Sequence, residues 1–105
     1  TAELDLSRVM QCMDTTDGVM ALFHHLQRTA QDCGFGEIGC FQVGGLSDSG
    51  ITVACGVPTV CGMGVRGEGN HTPDEYAEVE SLFQRSVLAA CAAYTLNDDF
   101  AKAAV

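Results

Sequence analysis

A single histidine between a glycine-rich run and two acids is the feature of this chain most able to do chemistry. Gly62, Gly64, Gly67 and Gly69 leave the backbone free to bend before His71, and Asp74 and Glu75 follow within four residues. Imidazole and carboxylate are metal donors, yet zinc generally takes three or four protein ligands. One histidine and two neighbouring acids therefore do not complete a site. The acids also have a plainer reading, because Thr72, Pro73 and Glu75 fit a capping signature with Pro in the first turn. The glycine series lacks the Gly-Lys-Ser/Thr ending of a phosphate loop and matches no dinucleotide fingerprint.

The second candidate is Gly44-Gly45-Leu46-Ser47-Asp48. Two glycines ahead of a capping Ser-Asp let backbone amides approach a ligand, and a helix start favours an anion. An ordinary strand-to-helix turn with a Ser or Asp cap explains the same residues equally well. Ser47 is not placed as a hydrolase nucleophile, since the elbow G-x-S-x-G needs a second glycine where Ser49 stands. His24 and His25 are adjacent on a helix, so their side chains diverge by about 100°. One is expected at the surface and the other at a packing edge.

Six cysteines, at 12, 33, 40, 55, 61 and 91, contain no C-x-x-C pair and no zinc-finger spacing. Most have small or apolar neighbours, where a free thiol behaves as a small, often buried hydrophobe. Reduced structural thiols in a cytoplasmic protein are expected, with a secreted, disulfide-bonded protein as the alternative.

The elements that must hold these residues follow from periodicity. Val19, Leu22, Phe23, Leu26, Ala30 and Cys33 keep the helical period, giving a helix over 17–33 capped by Asp14, Thr15 or Thr16 and stopped by Gly34. Residues 1–16 read as a strand or extended arm and a loop. The β-formers of 37–43 predict a strand ending in Gly44-Gly45, and those of 57–63 a buried strand. Between them a short helix over 49–55, capped by Ser47 or Asp48, stops at Gly56. Ser81 and Gln84 are spaced as a capping box that opens a last helix, running through Leu82, Val87, Leu88, Cys91, Tyr94 and Leu96. Alternating helices and strands make this an α/β layer.

Composition sets the outer bounds. With 105 residues, 47% of them hydrophobic, one small domain is expected. Fourteen acids against five bases, a net charge of −9, argue against nucleic acid or an anionic membrane as partner. No apolar run approaches the roughly 18 residues of a membrane span, and no signal-peptide pattern opens the chain. Thr1 in place of Met is expected of a chain that is processed, trimmed or cut from something longer.

In order and spacing, "GGLSD", "GVPTVCGMG", "GNHTPDEYAEVESL" and the closing "QRSVLAACAAYTL" resemble the C-terminal end of the zinc-dependent aminoacylase and carboxypeptidase family. That family includes glutamate carboxypeptidases, acetylornithine deacetylases and succinyl-diaminopimelate desuccinylases, the first being the branch most similar. The resemblance runs from about Gly18 to Leu96. It implies part of a zinc-peptidase-like catalytic domain, with helices packed on a short mixed β-sheet and residues 1–16 as a junction from the smaller lid or dimerisation domain.

It further implies two zinc ions per complete domain, with cobalt or manganese as substitutes, and His71 as one ligand. That imidazole would be steered by a hydrogen bond on its other nitrogen. Gly44, Gly45, Ser47 and Asp48 would line the substrate site, and Gly62 and Gly64 the wall leading to the metals. The reaction would be hydrolysis of an amide in a small peptide or N-acyl amino acid, by a zinc-bridged water that a carboxylate deprotonates. The family's H-x-D motif, bridging Asp and Glu-Glu pair belong upstream of these residues. The chain alone is therefore expected to be inert, with an apolar edge and a tendency to form homo-oligomers. Arg66 and Glu68 depart from the family's usual P-x-G-G. Two rival readings are a stand-alone module for an anionic metabolite and a purely structural or interaction fragment.

Overall fold

Helices need only their own residues to satisfy their backbone, whereas strands need neighbours, and this difference decides which expectations the fold meets. The structure, a computed structural model, describes residues 1–7 and 9–97. Arg8 and residues 98–105, included in the expected single domain, lie outside the described residues. Among the described residues the architecture is three helices and one two-stranded antiparallel sheet.

Helix α1 spans Asp17–Asp32. Thr16 is its N-cap, its hydroxyl oxygen accepting from the Val19 N–H at 3.2 Å. At the other end Gly34 takes a φ of +75°. Its N–H donates to the Gln31 carbonyl while that of Phe35 donates to Ala30, a paired closure that a residue with a Cβ adopts only at a cost. Helix α2 spans Ser49–Ala54, and the N–H groups of Gly56 and Val57 close it in the same way on Val53 and Thr52. Helix α3 spans Val79–Thr95. It starts earlier than the Ser81–Gln84 capping box predicts. Ser81 lies fully buried inside the first turn, donating its hydroxyl to the Glu78 carbonyl at 2.6 Å.

Neither expected strand forms. Residues 37–43 and 57–63 carry no ladder, and most of their side chains face solvent. β-Forming side chains stabilise a pleated surface only when another strand satisfies the backbone, and these segments have none among the described residues. The sheet instead pairs β1 (Gly67–Glu68) with β2 (Tyr76–Ala77), in register Gly67 to Ala77 and Glu68 to Tyr76. Residues 1–16 have no regular structure where described, and Gln11 and Cys12 cross close over Gly50 of α2.

The core is thin. Val19, Phe23, Leu26 and Ala30 of α1 are buried, with Val53 of α2 and Leu88 and Ala92 of α3. The positions on α1 repeat at three and four residues, the stripe a helix presents to one partner. His25 joins the two long helices, its Nε2 donating to the Ala92 carbonyl at 3.0 Å, while His24 is exposed with Nδ1 3.0 Å from Gln27 Oε1. The adjacent histidines thus divide between surface and packing edge, as their 100° separation predicts.

Candidate functional site

His71 sits in the loop that joins β1 to β2, with a φ of +65°. It is the one non-glycine residue in the left-handed region among those described, a conformation that costs an ordinary L-residue roughly 1–2 kcal/mol. The loop is held from within. Thr72 donates both its N–H (3.0 Å) and its hydroxyl (2.6 Å) to the Gly69 carbonyl, and the Glu75 N–H donates to the Thr72 carbonyl. Thr72 and Glu75 therefore build a turn and not a helix start, which corrects the capping reading of this segment. Asp74 and Glu75 are exposed.

The imidazole of His71 is exposed and makes no hydrogen bond among the described residues, so the expected steering contact on its second nitrogen is not made. Among the described residues no three His, Cys, Asp or Glu side chains converge as a metal ion would need. The described residues do not by themselves supply the three or four ligands that zinc takes. Beside the hairpin an open depression of about 330 Å³ is lined by Val65, Gly67, Asn70, Glu75, Tyr76 and Ala77, and His71 is outside it.

The second group of expected site residues does come together. Ser47 Oγ lies 3.5 Å from the Cys61 thiol and hydrogen-bonds Ser49 Oγ, so the Gly44–Asp48 loop meets the start of the glycine loop at Gly62. Hydrogen bonds from the hydroxyls of Ser47 and then Ser49 hold the Cys61 thiol below its ordinary value. Ser47 is thereby engaged within the chain. Asp48 is the N-cap of α2 but makes no side-chain capping bond, while Ser47 Oγ accepts from the Ser49 N–H. A carboxylate at that helix start opposes an anion there, which weakens the anion-module reading. Gly44, Gly45, Gly62 and Gly64 are exposed, and a Cβ at any of them would meet nothing within 4 Å. The fold itself does not require glycine for space at these four positions.

The cysteines differ from expectation. All six are free, but Cys12, Cys40, Cys55 and Cys61 are exposed and Cys33 and Cys91 half-buried. Small neighbours do not bury a thiol where the segment itself has no covering layer. Sequence reasoning missed the pairing of Cys33 with Cys91 and of Cys61 with two serines, because both contacts arise only when distant segments meet.

No helix among the described residues is long and apolar enough to cross a membrane. No protein-family model matches the chain, and neither does any curated protein or solved structure.

Proposed function

We propose that this chain is the C-terminal part of the catalytic domain of a zinc-dependent, cytoplasmic amide hydrolase, glutamate carboxypeptidase-like or N-acyl amino-acid deacylating. Its contribution is His71, presented at a hairpin as one metal ligand, with Gly44, Gly45, Ser47, Asp48, Gly62 and Gly64 as wall residues. No hydrolytic step is assigned to these residues, because among those described no three metal-donor side chains converge.

The observation that carries this reading is uncovered apolar surface. The accessible area is 8178 Å², where a compact monomer of this mass exposes roughly 5,700 Å². The excess of about 2,500 Å² is larger than the ~800 Å² each partner buries in a stable interface. The radius of gyration is 16.4 Å, against about 13 Å for a compact domain of this length. Six of the exposed large hydrophobic residues fall into two groups. Phe41 (86%), Val43 (72%) and Val57 (53%) lie in or next to the two segments whose composition predicts strands. On α3, Val79, Phe83 and Val87 form an outward stripe at four-residue spacing. Two segments of strand-forming composition left without a ladder, and an apolar helix face, are what a sheet layer leaves when the strands beside it lie on other residues. The left-handed backbone at His71 adds support, since such strain gathers at functional sites.

Zinc titration of the chain and of His71→Ala, with dipeptide and N-acyl amino-acid hydrolysis followed in the same samples, tests the proposal. Both proteins carry the same six thiols, so their difference isolates His71. The expected result is no turnover and a difference no greater than one exposed imidazole provides. Stoichiometric zinc lost in His71→Ala, together with turnover, would mean that a complete site resides in these residues and would overturn the incomplete-domain reading.

A further inference from the structure

Cys33 and Cys91 are far apart in sequence and adjacent in space. Cys33 is the C-cap residue of α1, fixed by its N–H donating to the Thr29 carbonyl at 2.9 Å. Cys91 lies on α3, where its own carbonyl accepts the Thr95 hydroxyl at 2.7 Å. The two thiols line one open depression of about 390 Å³ with His25, Arg28, Thr29, Asp32 and Thr95. Both are half-buried, so a small reagent can reach them. The α1–α3 contact that brings them together is clamped close by, where His25 Nε2 bonds the Ala92 carbonyl and lies 3.2 Å from Thr95 Oγ1. Cys91 lies close enough across this depression to push the Cys33 thiol up from its ordinary value.

We propose that Cys33 and Cys91 are a redox cross-linking site, closing a disulfide that staples the end of α1 to α3. The oxidant is a low-molecular-weight disulfide. One cysteine loses its proton and attacks a sulfur of that disulfide, forming a mixed disulfide and releasing one small thiolate. The second cysteine loses its proton and attacks the protein sulfur of the mixed disulfide, releasing the other small thiolate. The protein gives up two electrons and two protons, and the small disulfide becomes two thiols. A staple here closes a loop of about 58 residues, long enough for a large constraint on the unfolded chain. Its position also matters: among the described residues α1 and α3 supply six of the seven buried hydrophobic side chains, Val53 being the other.

The test is equilibration of the folded chain with oxidised glutathione, followed by non-reducing peptide mapping by mass spectrometry and by thermal melting. The expected product is a cross-linked peptide pair carrying Cys33 and Cys91, two hydrogens lighter than the reduced pair. A rise in Tm of roughly 10 °C, reversed by dithiothreitol, should accompany it. A variant with Cys12, Cys40, Cys55 and Cys61 all replaced by serine should give the same cross-link, and Cys33→Ser or Cys91→Ser should abolish it. Separate glutathione adducts on Cys33 and Cys91, or their pairing with other cysteines in the folded wild-type chain, would overturn the proposal.

Discussion

The backbone N–H of Arg66 donates to the hydroxyl of Ser81 at 2.8 Å, tying the approach to the hairpin onto the first turn of α3. Ser81 passes its own proton to the Glu78 carbonyl, and the Glu78 N–H returns to the Arg66 carbonyl at 2.8 Å. This closed ring fixes the hairpin that carries His71 relative to the longest helix. Arg66 and Glu78 also form an ion pair at 3.1 Å, but both side chains are about half exposed.

Magnitudes separate the two contacts. Ser81→Ala leaves the Arg66 N–H without its partner and should cost about 1–3 kcal/mol. Glu78→Gln weakens only an exposed ion pair and should cost less than about 1 kcal/mol. Urea denaturation of the two variants checks the ranking, and a reversed order would show that the hairpin is held by charge.

Gly67 has no room for a side chain, since a Cβ there would collide with the Tyr76 carbonyl oxygen. Gly67→Ala must part β1 from β2, and a destabilisation of about 1–3 kcal/mol is expected. Gly44→Ala, in open space, should be close to neutral. Amide exchange at Glu68 and Tyr76 would report the hairpin opening directly.

At His71 the positive φ predicts an unusual order of stability. His71→Gly should be more stable than His71→Ala by about 1 kcal/mol, because only glycine adopts that conformation freely. Equal stability would mean that the loop relaxes in solution.

The thiols should separate by pH. Cys61 is pulled down by the Ser47 and Ser49 hydroxyls, so iodoacetamide should modify it ahead of Cys33, which Cys91 pushes up. Ser47→Ala should slow modification at Cys61 without altering Cys33. The stability consequences have opposite signs. The fold favours the protonated Cys33 thiol, so that contribution is complete below the ordinary thiol value of about 8.5 and is lost as pH rises through the elevated one. It favours the Cys61 thiolate, so that contribution is present above the ordinary value and is lost as pH falls through the lowered one. Residue-resolved modification rates across pH 7–10 (about the thiol range) measure both.

Much of the helical part was legible in the sequence, because its signals are local. Thr16, Gly34 and Gly56 mark ends that backbone chemistry alone dictates, and the stripe from Val19 to Ala30 needs only the helical period. The strands were not legible in the same way. Phe41 and Val43 have the right side chains, but pairing depends on residues elsewhere, and none of those described pairs with them. His71 stood out by its glycine-rich approach, yet nothing local predicted its left-handed backbone or its lack of a hydrogen-bonded partner. Cys33 and Cys91 have neighbours that signal only small packing residues; their contact exists because α1 lies on α3.

The central claim is that the exposed apolar surface belongs against further strands of a larger catalytic domain. Light scattering of the purified 105-residue chain across a concentration series, with dye binding to exposed apolar surface in the same samples, tests it most directly. The account predicts an apparent mass that rises with concentration and strong dye binding. A monomer at every concentration, with a radius of gyration near the ~13 Å of a compact domain and no dye bound, would contradict it.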